Sequence, residues 1–177
     1  MRKIVYYIAS SIDGFITGAN EDVSRFIYEG PGVEKYKKDL QEFDTVIMGR
    51  KTYEFAYQFG LVPGQPAYPH MKHYIFSSSL SFDNPADNVQ AVKPDIEFIK
   101  KLKEEQGSDI YLCGGGQFAG WLLDHKLIDV IKIKLNPLVL GEGTPLFGKL
   151  NNAYQLSLME SERFDDGLQI LSYRPEY

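Results

Sequence analysis

The sequence predicts a single α/β layered domain over residues 1–177, built on a mostly parallel sheet with an antiparallel C-terminal hairpin at its edge. Three observations predict it. Short apolar runs rich in β-branched and aromatic residues alternate with segments of helical spacing. Two of these runs pass through glycine into helix starts, at Gly49 and at Gly114-Gly115-Gly116. The chain then ends on two strand-like stretches around Asp165-Asp166-Gly167, a strong hairpin signal. No internal repeat, low-complexity tract or linker divides it, and 177 residues suffice for one filled core.

Taken in order, Lys3 to Ala9 is an apolar run suited to a strand buried on both faces. Ser10-Ser11-Ile12-Asp13-Gly14 turns the chain, and a polar, glycine-containing segment continues to Gly32. Val33, Tyr36, Lys37 and Leu40 have helical spacing behind a Pro31-Gly32 start. Thr45 to Met48 is a second buried strand, and Tyr53, Ala56 and Tyr57 then mark a helix face that closes at Gly60. Pro63, Gly64, Pro66 and Pro69 make a loop. Lys72 to Phe76 is a third strand stopped by Ser77-Ser78-Ser79, and Asn88 to Val92 a short fourth. Pro94 opens an amphipathic helix with Ile96, Ile99 and Leu102 inward and Gly107 as its cap. Ile110 to Cys113 leads through the glycines into Phe118, Trp121 and Leu122, spaced as on a helix. Ile131, Ile133 and Leu135 alternate with Lys132 and Lys134, which predicts a strand with one wet face. Asn136 to Gly148 is a long apolar loop, either packed down or functional.

Composition narrows the function. A net charge of −5 argues against a general nucleic-acid surface. One cysteine excludes an internal disulfide and fits a reducing, cytoplasmic setting. The N-terminal apolar run is broken by Asp13 and reads as a strand rather than a signal peptide, and no run approaches the ~20 apolar residues of a membrane span. His70, His73 and His125 lack metal-ligand spacing, so no metal site is expected. Twelve tyrosines fit either a flat ligand slot or an aromatic core.

The two glycine-led junctions carry the chemistry. A strand running through glycines into a helix leaves backbone N–H groups and a helix dipole free to hold a phosphate. Three consecutive glycines exceed what one tight turn needs. Gly114 to Ala119 matches the G-x-G-x-x-A pattern, but on a late strand and without an acid about twenty residues on, so a standard dinucleotide-binding domain is disfavoured. Gly49-Arg50-Lys51-Thr52 is not a Walker loop, because Asp44 stands where the first glycine would be. It does place two cations and a hydroxyl at a helix start, where cations are unfavourable unless an anion neutralises them. The phosphates of a nicotinamide dinucleotide phosphate would do so, although solvation of both side chains is the plainer alternative.

Val46-Ile47-Met48-Gly49-Arg50-Lys51-Thr52-Tyr53 and Cys113-Gly114-Gly115-Gly116-Gln117 resemble the two cofactor signatures of dihydrofolate reductase. Ser11-Ile12-Asp13-Gly14-Phe15-Ile16 and the stretch Pro137 to Phe147 are similar to a sister branch, the reductase domain of the riboflavin-biosynthesis deaminase-reductase and its stand-alone relatives. The resemblance implies a dihydrofolate reductase-like three-layer α/β/α fold and an NADPH-dependent reductase. Its substrate would be a small flat heterocycle, a pyrimidinone such as 5-amino-6-(5-phosphoribosylamino)uracil or a pterin. It further implies that Gly49, Arg50, Lys51 and Thr52 hold the 2′-phosphate and pyrophosphate, and that Ser77 and Ser78 line the adenosine side. Gly114, Gly115, Gly116 and Gln117 would wrap the pyrophosphate and nicotinamide ribose, while Ala9 and Ile16 present backbone groups to the carboxamide.

The departures are specific. The substrate-binding acid of dihydrofolate reductase falls on Val33, with Glu34 one residue on and turned by about 100°, so dihydrofolate is a doubtful substrate. The zinc site of the deaminase half has no matching residues. Asp13 is the candidate catalytic acid, although an Asp-Gly pair equally serves to hold a turn. Glu142 is a weaker candidate, and Cys113 reads as packing. A nucleotide-binding module of the same fold without turnover is the rival function. The apolar residues of 129–135 and 137–147 predict a homodimer surface, as the resemblance also implies, unless Leu138, Leu140, Leu146 and Phe147 fold back on the chain's own core.

Overall fold

A computed structural model describes residues 1–177. Its main sheet has eight strands in the order β5-β4-β3-β6-β1-β7-β10-β9. These are β1 (Ile4–Ser10), β3 (Thr45–Gly49), β4 (Lys72–Phe76), β5 (Val89–Val92), β6 (Ile110–Gly114), β7 (Val130–Leu135), β9 (Gln155–Arg163) and β10 (Gln169–Glu176). A separate two-stranded ladder joins β2 (Phe15–Thr17) to β8 (Thr144–Pro145). From β5 across to β7 every pairing is parallel, and β10 then runs antiparallel to both β7 and β9. The helices are α1 (Pro31–Leu40), α2 (Arg50–Phe55), α3 (Ile96–Glu104) and α4 (Gly116–Asp124).

Strand alternation sorts the side chains into two cores. Ile4, Tyr6, Ile47, Ile110 and Leu112 pack with Ile99 and Leu102 of α3 and with Ala119, Leu122 and Leu123 of α4. Val5, Tyr7, Val46, Met48 and Tyr111 pack on the opposite face with Val33 and Leu40 of α1 and Tyr53 of α2. The result is the three-layer α/β/α arrangement with a mostly parallel sheet that the sequence predicts. No helix is long and apolar enough to cross a membrane.

Two expectations are corrected. The polar face of β7 is not wet. Lys134 is 7% exposed, and Lys132 ion-pairs with Asp39 of α1 at 2.7 Å. Asp39 also pairs with Lys35 and accepts from the Tyr7 hydroxyl at 3.1 Å, while Lys132 stands over the Tyr7 ring. Alternation reports two faces but not what covers each, and α1 supplies a carboxylate that makes lysines tolerable there. Gly107 does not cap α3, which ends at Glu104; its φ of +150° lets the chain pass close to Asp44 and Arg2. At its other end α3 is capped by Asp95, which accepts from the Glu97 amide, one residue after Pro94. Of the two readings left open for the long loop, Leu146 and Phe147 follow the second and fold back on the chain's own core. They pack on the α3/α4 core, where the Phe147 ring meets Tyr6 edge-on at 5.5 Å and the Tyr6 hydroxyl donates to the Leu146 carbonyl.

Large exposed apolar side chains appear instead on the edge strand β9, at Leu156, Leu158 and Met159. Met159 is the extra residue where the β9–β10 register slips.

Candidate functional site

The sheet splits where the site lies. β1 and β6 pair only from Ile4–Ile110 to Tyr6–Leu112, so beyond Tyr6 the β6-facing edge of β1 carries backbone groups without a strand partner. A cleft of about 1250 Å³ opens at these carboxyl ends of β1, β3, β4 and β6, where open parallel sheets bind ligands. It is larger than the ~300–1,000 Å³ of a typical single-ligand pocket. The cleft therefore has room for a cofactor and a second molecule.

Most of the predicted cofactor residues converge here. Ala9, Ile16, Gly49, Arg50, Lys51, Thr52, Ser77, Ser78, Gly115, Gly116 and Gln117 all line the cleft. Gly114 lies just behind, buried at the end of β6. Arg50 is not left uncompensated at its helix start, because Glu54 takes it at 2.7 Å and the Ser79 hydroxyl at 3.1 Å. The second contact ties the first turn of α2 to the serine segment after β4. Lys51 is exposed and makes no ion pair. The Ser77 oxygen accepts from the Ser79 and Leu80 amides, leaving its hydrogen to donate.

The glycine run has more packing in it than the sequence suggests. Gly114 has a φ of +126°, and a Cβ on Gly116 would run into the Pro145 carbonyl. Gly115 has an ordinary φ of −88°, and a Cβ there would meet only the Thr52 hydroxyl, at 2.9 Å. The peptide between Gly114 and Gly115 is cis. Gly115 is also the N-cap residue of α4, which no side chain caps, so the first-turn amides keep their donors for an anion. A ligand-sized void, an uncapped helix start and an unpaired lysine together fit a phosphate-bearing dinucleotide.

The long loop is packed down and reaches the cleft. β2 pairs with β8, Gly148 donates to Gly116, and Asp13 accepts from the amides of Leu140 and Gly141, the latter at 2.7 Å. Thr144, Pro145 and Phe147 thereby form one wall of the cleft. Asp13 itself is exposed and outside the cleft. Bonds from the Ser11 hydroxyl and the Gly141 and Leu140 amides hold its carboxyl down at about 2, so it is ionised at neutral pH and holds no proton. Glu142 is exposed on the same loop.

On α1, Val33 is buried in the core, and Glu34 faces solvent in a pair with Lys37. No α1 carboxylate lines the cleft; Tyr36 does. His73 is a satisfied core residue, accepting from the Tyr68 amide, and burial holds it neutral with a pKa of about 4. His70 and His125 each contact a backbone carbonyl, of Leu40 and Trp121 respectively.

Sequence reasoning missed the other end of the cleft. Tyr36, Tyr68, Tyr111 and Cys113 meet there. The Tyr36 and Tyr111 hydroxyls are 2.9 Å apart, and the Tyr68 hydroxyl lies 3.7 Å from the Cys113 sulfur. The only signals in the sequence were the tyrosine count and the place of Tyr111 and Cys113 on the strand that enters the glycines.

Comparison with known proteins agrees with this geometry. The family model described as the RibD C-terminal domain matches residues 2–170. The uncharacterized protein YwjB of Bacillus subtilis (strain 168) is 33% identical over 172 residues, covering 96% of each chain. A crystal structure from Shewanella sp. PV-4, provisionally described as a riboflavin biosynthesis protein, superposes with a TM-score of 0.82 at 24% identity, covering 100% of both chains. Dihydrofolate reductase from Enterococcus faecalis, solved with NADP(H), superposes with a TM-score of 0.66 at 14% identity, covering 99% of this chain and 97% of that one.

Proposed function

The chain belongs to the RibD C-terminal domain family, and from this we propose that it is an NADPH-dependent reductase that delivers hydride to a small flat heterocycle of pyrimidinone or pterin type. The observation that carries the reading is the convergence of both glycine-led junctions on one cleft at the split between β1 and β6. When bound, NADPH supplies the hydride, and the protein supplies orientation and electrostatics. Arg50, Lys51 and Ser78 hold the 2′-phosphate and adenosine end. Thr52, the α4 first-turn amides and Gln117 hold the pyrophosphate and ribose. The unpaired edge of β1 at Ala9, with Ile16 opposite, orients the carboxamide. Phe147 and Pro145 close one side against water. Asp13 acts as a positioning residue, fixing the loop that builds this wall.

Oxidation of NADPH that depends on an added heterocycle, followed as loss of reduced-nicotinamide absorbance over a panel of pyrimidinones and pterins, tests the reading. Saturable NADPH binding with no turnover on any ring would favour a binding module instead. Cofactor choice gives a second test. NADPH is expected to bind more tightly than NADH. Each of Arg50→Ala and Lys51→Ala should reduce that preference by about tenfold, the lower end of a charge-assisted contact because both side chains are exposed. Equal affinities in the unaltered protein would remove these residues from the 2′-phosphate site.

We also propose that the protein works as a homodimer. Exposed Leu156, Leu158 and Met159 on the edge strand β9 support this, since an uncovered apolar edge is an association surface. Light scattering should give twice the 20.2 kDa chain mass, and Leu158→Asp should shift the protein to monomer. A monomer in the unaltered protein at micromolar concentration would refute the dimer.

A further inference from the structure

We propose that the tyrosine–thiol end of the cleft selects an uncharged, flat ring and rejects ligands that bring a carboxylate or phosphate into it. This rests on the reductase reading above but narrows it, because a phosphoribosylated uracil would have to keep its phosphate out of this end.

The geometry comes first. Tyr36, Tyr68, Tyr111 and Cys113 share one end of the cleft, and their polar atoms form two pairs, Tyr36 with Tyr111 and Tyr68 with Cys113. The two pairs are linked, because the Tyr111 hydroxyl also bonds with Tyr68 and Cys113, and Tyr111 is itself fully buried. The half-buried Tyr36 and Tyr68 hydroxyls are the ones a ligand can reach, and by rotating each can turn a hydrogen or a lone pair toward it. That is a donor–acceptor set suited to the carbonyl and ring N–H edge of a neutral heterocycle. Met48 and Ala67 line the same cleft and add apolar surface for a ring face.

Charge is the deciding feature. The cations and carboxylate on the cleft wall are Arg50, Lys51, Lys149 and Glu21, and all four are exposed. Arg50 is engaged by Glu54 and Ser79 at the other junction, and none of the four makes a side-chain bond to the tyrosines or to Cys113. Lys134 stands behind the Tyr36 ring at 5.2 Å, donates to the Ile27 carbonyl, and does not line the cleft. Burial raises the pKa of all four cluster groups. An anionic ligand would meet the same desolvation, with no counter-ion to offset it. A protonated ring would fare no better, because no α1 carboxylate lines the cleft and Glu34 pairs with Lys37 in solvent.

The probes are lumazine and 6-carboxylumazine, titrated by their own fluorescence into the protein with and without NADPH, at a pH where lumazine is neutral. Lumazine is expected to bind at least about a hundredfold more tightly than its carboxylate. Tyr111→Phe and Tyr36→Phe should each weaken lumazine by about three- to tenfold while leaving NADPH affinity unchanged. Tyr36→Phe, at the more exposed site, serves should Tyr111→Phe fail to fold. Comparable affinity for the two probes, tighter binding of the carboxylate, or binding insensitive to both tyrosines would overturn the inference. If lumazine binds through the tyrosines but NADPH never binds, the cofactor reading fails and this one stands.

Discussion

Gly115→Val is expected to abolish NADPH binding while leaving the fold intact. The three glycines differ in what they do. Gly114 sits at positive φ and Gly116 gives way to the Pro145 carbonyl, so a side chain at either would strain the turn or displace the loop. Gly115 has φ −88°, and the nearest atom to an added Cβ is the end of the Thr52 side chain, which can rotate. A branched side chain there would occupy the mouth of the α4 N-terminus, where the pyrophosphate must approach the backbone. The expected loss in affinity is at least about a hundredfold, or ~2.7 kcal/mol. Circular dichroism and a melting curve on the same sample establish the fold. Unchanged NADPH affinity in a folded variant would remove the glycine run from the cofactor site.

The largest loss of stability is expected from Asp39→Ala. Asp39 holds Lys35, Lys132 and the Tyr7 hydroxyl together between α1 and β7. Removing it leaves Lys132, with an 18% exposed side chain, without a counter-charge. Breaking a buried pair costs ~3–5 kcal/mol, and the lower figure, about 3 kcal/mol, suits an ammonium with this much access to water. Burial alone would raise the Asp39 pKa, but the bonds from Lys132 and Lys35 outweigh it and the net shift is downward. A carboxyl with a depressed folded-state pKa contributes stability above its unfolded value and loses it as pH falls through the folded one. Asp39→Ala should therefore flatten the acid limb of the stability–pH curve. Urea unfolding at neutral and acid pH checks both effects; a loss under about 1 kcal/mol at neutral pH would show the network to be ornamental.

The sheet, its helices and the terminal hairpin were legible because buried strands and amphipathic helices impose periods that survive in one sequence. The cofactor end of the cleft was legible because it is local: Gly49 to Thr52 and Gly114 to Gln117 are each a single strand-to-helix junction. The ring end was not. Tyr36, Tyr68 and Tyr111 come from a helix, a loop and a strand, and only the return of β6 between β3 and β1 brings them together. Lys132 and Lys134 were misread for the same reason, since their cover is α1, far away in sequence. Asp13 shows the converse. Its Asp-Gly turn was visible, but the amides of Leu140 and Gly141 that claim its carboxylate lie on a loop more than a hundred residues on.

The central claim is that this cleft holds a reduced nicotinamide dinucleotide phosphate. Calorimetric titration of the unaltered protein with NADPH tests it most directly. One site per chain is expected, with a dissociation constant on the order of micromolar, about −8 kcal/mol, and weaker binding of NADH. Absence of saturable heat up to millimolar NADPH, in protein shown to be folded, would contradict it.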